Sequence, residues 1–220
     1  MQFQRGPVTN ALVAVNLVIA AILLVPSWWN YAVMSGGLFP IRFSNVTVSF
    51  PGVGFLVPAF LTPLSAAFLH GGVVHVVMNM LMLLLVGKLV ERVLGGGLYL
   101  SLYLLSAYAA AATEWLASFM AWPMSVDMVA PAIGASGAIS GIIGAYVLLF
   151  PNKKPKAWGP IPAAYARPLH LATAWIGLNL ALGFVGPGIG IKIAIWSHIG
   201  GFVAGMMLAR PLLLWRYRNA

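Results

Sequence analysis

A hydroxyl and an imidazole that meet can carry out acyl transfer. The imidazole takes the hydroxyl proton, the oxygen attacks a carbonyl, and the proton is later passed to the leaving amine. Few residues of this chain combine that chemistry with an apolar setting: Ser136 and Ser140, His198, and the pair His75 and Asn79. Ser136 is expected to open a helix, where its backbone N–H faces a developing oxyanion with the helix dipole behind it. His75 and Asn79 would add side-chain donors, and Gly134 and Gly137 beside the serine let a peptide backbone come close. The chain has no cysteine, which removes thiolate nucleophiles, thiolate metal sites and disulfides together. With three acidic residues, Glu91, Glu114 and Asp127, a two-aspartate protease is excluded; an HExxH metal motif is absent as well. Glu91 falls at the opposite end of its span from the site, and Glu114 and Asp127 reach it only by an unusual path. A Ser136–His198 dyad is therefore expected, with no metal and no cofactor.

Those residues need elements to hold them. Of 220 residues, 61% are hydrophobic and 7% charged, against about a quarter charged in soluble domains, so the chain is not a water-soluble globule. Its apolar stretches do not alternate as barrel strands do. They predict an all-α polytopic membrane protein, a single domain over residues 1–220 with six spans: Ala11 to Trp28, Gly72 to Val86, Leu98 to Met120, Ser136 to Phe150, Leu169 to Val185 and Ile193 to Leu214. The first span, without a small-residue cleavage site after it, is read as a retained helix.

Cations set the orientation. Arg5, Lys88, Arg92, Lys153, Lys154, Lys156, Arg167, Arg210, Arg216 and Arg218 fall on one side of this scheme, and Arg42 and Lys192 on the other. This bias places both termini in the cytoplasm and explains the net charge of +9 as topology rather than a nucleic-acid footprint. The segment Trp29 to Leu69 is expected to lie partly in the outer leaflet, and Trp28, Trp29, Trp196 and Trp215 to anchor at interfaces. Gly183 to Gly190 is expected to be an outer turn or mobile loop. No internal repeat of the kind transporters carry is present.

Depth and facing agree with a shared site. Counted from the basic end of each span at 1.5 Å per residue, Ser136, His198, His75 and Asn79 lie roughly 21, 18, 20 and 14 Å deep. In a hydrocarbon core about 30 Å thick they form one layer, roughly 10 Å below the outer surface. His75 and Asn79 lie about 40° apart on one helix face, whereas His70, about 140° from His75, makes a poor metal pair with it. Ser136, Ser140 and Gly144 form one stripe, and His198, Gly201 and Gly205 another, so that two helices can approach closely.

The ordered motifs His70-Gly-Gly-Val-Val-His75-Val-Val-Met-Asn79, Gly87-Lys-Leu-Val-Glu91-Arg92-Val-Leu-Gly95, Gly134-Ala-Ser136-Gly137 and Ser197-His198-Ile-Gly-Gly201-Phe-Val-Ala-Gly205 resemble those of the rhomboid family of intramembrane serine proteases. The resemblance implies that Ser136 is the nucleophile and His198 the base, with His75, Asn79 and the Ser136 backbone as oxyanion ligands. It also implies that the substrate is a transmembrane helix of another protein, met within the lipid bilayer. The loop containing Gly186 and Gly188, with span 5, would be the gate. A bacterial or archaeal plasma membrane is the expected location. Two positions depart from the family pattern: Ser140 stands where an aromatic commonly packs against the histidine, and the first loop lacks the common Trp-Arg pair. Ser140 motivates an alternative, a catalytically inactive rhomboid-like protein that binds transmembrane helices.

Overall fold

Pro7 opens the first helix, α1 (Pro7–Ile22), at the position where its missing N–H is not needed. The chain is described here from a computed structural model covering residues 6–44, 47–120, 128–150, 159–185 and 193–219. The span expected over Ala11 to Trp28 is not one helix. Pro26 starts α2 (Pro26–Gly36), and Val25 before it takes extended backbone at φ −76° and ψ 117°, because the proline ring disfavours the helical conformation there. Trp28 and Trp29 thus belong to α2 rather than to the end of α1.

The stretch expected as an outer loop is largely short helical turns: α2, single 3-10 turns at Pro40–Phe43 and Ala59–Leu61, and α3 (Thr62–Ala66). Next come α4 (Val73–Met82), a π-helical turn at Leu83–Gly87 and α5 (Lys88–Leu94), which run on without a break. The helix expected to end at Val86 therefore continues for two more turns. Lys88, Glu91 and Arg92 mark where the chain becomes charged, but the helix stops only where the backbone turns, at Gly95 with φ +74°. The remaining helices are α6 (Gly96–Met120), α7 (Ser136–Leu149), α8 (Ala163–Val185) and α9 (Ile195–Arg216).

All elements among the described residues are helical apart from a lone antiparallel bridge between Leu38 and Ala132. Val73–Leu94 and Ile195–Arg216 are long and apolar enough to cross a membrane; Pro7–Ile22, Ser136–Leu149 and Leu169–Ala181 are shorter apolar helices. Val73, Val74, Val77, Met78 and Leu81 are all exposed on the outer side of α4. Water would penalise that contiguous stripe, and lipid would not.

Glycines let α7 sit at the centre. A Cβ on Gly201 would run into the Gly137 carbonyl, one on Gly205 into the Gly141 carbonyl, and one on Gly144 into the Phe202 carbonyl. The α7 and α9 backbones are thus in direct contact over two turns, held by van der Waals packing. On its other side α7 meets α6, where Gly137 faces Ala110 and Gly141 faces Ser106. Tyr99, Leu102 and Tyr103 of α6, Leu83, Val90, Leu94 and Ile142 close the core.

The far end of the bundle is tied by Glu91, which is 3% exposed. Its carboxylate accepts the Val8 N–H at 2.9 Å, the Thr9 N–H at 2.8 Å and the Thr9 hydroxyl at 2.7 Å. It therefore serves the orphan first-turn donors of α1 from another helix. Glu91→Ala leaves these donors buried and unmatched and should cost about 3 kcal/mol. Thermal unfolding of the detergent-purified protein checks this, with Glu91→Gln recovering part of the loss.

Candidate active site

Gly134 takes φ +118°, a conformation that L side chains rarely adopt, and this turn delivers the chain into α7 with Ser136 as its first helical residue. The turn is pinned from the first loop: the Gly134 N–H donates to the Ala66 carbonyl at 2.9 Å, and Leu38 and Ala132 exchange bonds of 3.2 and 2.8 Å. The apolar segment between α1 and α4 therefore holds the entry to α7 in place.

His198 lies on the first turn of α9. Its Nε2 is 2.7 Å from Ser136 Oγ, and both residues are half-buried. The close α7–α9 crossing that the glycines allow is what brings so short a side chain as serine to the ring.

His75 and Asn79, one turn apart on α4, stand across from the serine turn. His75 Nδ1 accepts the Gly71 N–H at 3.2 Å, which leaves the proton of the neutral ring on Nε2. Asn79 Nδ2 donates one hydrogen to the His75 carbonyl at 3.1 Å and keeps the other. Both groups converge on Gly134: a Cβ there would sit 2.8 Å from His75 Nε2 and 3.7 Å from Asn79 Nδ2. Together with the Ser136 N–H, two side-chain donors thus surround the serine turn. A cavity of about 40 Å³ adjoins it, with Ser136, Gly137, Ala110 and Ser197 in its wall, and is large enough to admit water.

Several expectations need correction or completion. His70 and His75 do touch, ring edge to face at 5.0 Å. The helical angle between them does not apply, because α4 begins only at Val73. Burial, and secondarily the neighbouring His75, push the His70 imidazole down to about 4, so it is neutral at pH 7. Among the described residues no group of three or more potential metal ligands occurs. Glu114 comes nearer than expected, since its carboxylate accepts the N–H of Ser197 at 3.0 Å and its hydroxyl at 3.2 Å. It caps α9 one residue from His198. Trp29 donates from Nε1 to the His70 carbonyl at 2.7 Å, tying α2 to the segment before α4. Ser140 is 1% exposed and spends its hydroxyl on the Ser136 carbonyl at 2.8 Å. Gly186, Gly188, Lys192 and Asp127 lie outside the described residues.

The sequence reading missed Asn179 on α8. It is 2% exposed, and its Oδ1 is 2.6 Å from His198 Nδ1. The signal was present, because Asn179 lies 12 residues from Arg167, roughly 18 Å deep by the same count that placed His198.

Comparison with known proteins gives the family. Residues 59–215 match the Rhomboid domain family. The chain belongs to the rhomboid family. It is 35% identical over 152 residues to RHOMBOID-like protein 4 of Arabidopsis thaliana, covering 69% of this chain and 34% of that protein. Against Rhomboid protease GluP of Bacillus subtilis it is 35% identical over 157 residues, covering 69% of this chain and 26% of the relative. Rhomboid protease GlpG of Yersinia pestis aligns with the whole chain at 24% identity and with 66% of its own length. This rhomboid chain thus spans about a third and a quarter of the first two relatives. The matched rhomboid region contains α4 to α8 and all but the last residue of α9, and with them Ser136, His198, His75, Asn79 and Asn179.

Proposed function

We propose that this rhomboid chain is an intramembrane serine endopeptidase that cuts transmembrane helices of other membrane proteins with a Ser136–His198 dyad. The observation that carries the reading is the 2.7 Å contact between Ser136 Oγ and His198 Nε2, made between two helices whose glycines let their backbones touch. In the proposed reaction Ser136 Oγ–H gives its proton to Nε2 as the oxygen attacks the scissile carbonyl. The Ser136 N–H, His75 Nε2–H and Asn79 Nδ2–H stabilise the oxyanion. The imidazolium then protonates the leaving amine, and water, deprotonated by the same ring, releases the acyl group. No metal or cofactor enters the scheme.

The wider setting belongs to the same proposal: one domain over residues 1–220, six spans, both termini cytoplasmic, in a bacterial or archaeal plasma membrane. The dyad faces the outer leaflet, and the loop of Gly186 and Gly188 with α8 serves as gate. Ser140, in place of the family's common aromatic, favours the second reading of an inactive helix-binding relative.

A fluorophosphonate probe separates the two, because it labels only an activated serine. The purified protein should be labelled, and Ser136→Ala and His198→Ala should each remove the label. Labelling that persists in the His198 variant overturns the dyad assignment, and an intact protein that takes no label supports the inactive reading.

A further inference from the structure

We infer that Asn179 is a positioning residue for His198, holding its imidazole in the tautomer and orientation that a base for Ser136 requires; this rests on the protease reading above. Asn179 Nδ2 donates to the Trp175 carbonyl at 2.8 Å, so the oxygen end of the amide is the one that meets His198 Nδ1 at 2.6 Å. An amide oxygen only accepts, and the ring must therefore carry its proton on Nδ1 and leave Nε2 bare. The bare nitrogen is the one 2.7 Å from Ser136 Oγ. In the other tautomer, lone pair would oppose lone pair at Nδ1, and Nε2–H would face the serine, able to donate but not to take its proton.

The contact also supplies what position 140 does not. Ser140 is committed to the Ser136 carbonyl, while the ring of Phe202, one turn beyond His198 on α9, stacks on Trp175 of α8 at 5.9 Å and 17°. That stack registers α8 against α9, and the carbonyl of the same Trp175 sets the Asn179 amide. Orientation of the histidine thus comes from α8 rather than from an aromatic on α7. An amide suits the place better than a carboxylate would. It accepts the Nδ1 proton without adding a second charge at membrane depth, where an ion is costly to bury.

The test uses the full chain in detergent, reading the fluorophosphonate labelling rate together with kcat and KM for a transmembrane-helix reporter. Asn179→Leu, of similar size without an acceptor, should lower labelling rate and kcat by about 10- to 100-fold and leave KM within about twofold. Asn179→Asp restores the acceptor for Nδ1–H, though not the donor to the Trp175 carbonyl, and should recover part of the rate. An Asn179→Leu rate equal to the intact protein's, a loss confined to KM, or equal losses in both variants would overturn the assignment. Nitrogen-15 spectra of the histidine-labelled intact protein decide the matter even where Asn179→Leu does not fold. The His198 resonances, identified by their loss in His198→Ala, should report a proton on Nδ1 at neutral pH, and a proton on Nε2 overturns the inference. An intact protein that takes no fluorophosphonate label counts against the protease reading instead, and the tautomer still reports on Asn179.

Discussion

Replacing Ser136 by alanine should reduce cleavage of a reconstituted transmembrane substrate to background, a loss on the order of 10⁴-fold or more, and His198→Ala should do nearly the same. The two groups act as one unit. Without Oγ there is no nucleophile, and without Nε2 at 2.7 Å the hydroxyl keeps its proton at neutral pH. For that reason the double variant should be no slower than either single one. Neither change should disturb the fold, since the α7–α9 contact is made by glycine backbones and not by these side chains. Gel analysis of substrate cleavage in liposomes checks this against the thermal unfolding of the same preparations. Wild-type turnover by either variant would end the dyad assignment.

Gly205→Val should damage the fold and the site together. A Cβ at this position meets the Gly141 carbonyl, which is helix backbone and cannot swing away as a flexible side chain would. Helix α9 must therefore move off α7, at a cost of about 3 kcal/mol. The displacement also draws His198, two turns away on the same helix, from Ser136. The expected outcome is a sharp fall in both unfolding temperature and fluorophosphonate labelling. Gly177→Ala on α8 is the control, because a Cβ there has nothing within 4 Å, and alanine favours helix over glycine by up to about 1 kcal/mol. An unfolding temperature for Gly205→Val equal to that of Gly177→Ala would mean that the crossing is not as tight as these backbones imply.

Helix ends divide into those the sequence announced and those it did not. Ser136 after Gly134 was expected as a helix start, whereas the stop at Gly95 was not, although both glycines take positive φ and both lie next to helix boundaries. The break at Pro26 had an equally local cause, yet was hidden by the continuous apolar run from Ala11 to Trp28. Hydropathy locates lipid-compatible stretches, whereas the proline decides where hydrogen-bonded helix can continue. In the same way Lys88 to Arg92 marked a change of surroundings and not a helix end, because charged side chains are good helix formers.

Taken alone, the amino-acid sequence singled out the residues on which the proposed chemistry rests. In a chain this apolar, a polar side chain within a span has a cost, so residue type and depth were enough to single out Ser136, His198, His75 and Asn79. Small residues at helical spacing named the faces that could touch. Only the tertiary structure decided what meets those faces. It placed Asn179 of α8 behind His198, turned Ser140 back onto its own helix, brought His70 against His75, set Glu114 at the start of α9, and tied the serine turn to Leu38 and Ala66. These contacts join segments distant along the chain. Their geometry is set by how closely whole helices cross, which no local propensity or periodicity encodes.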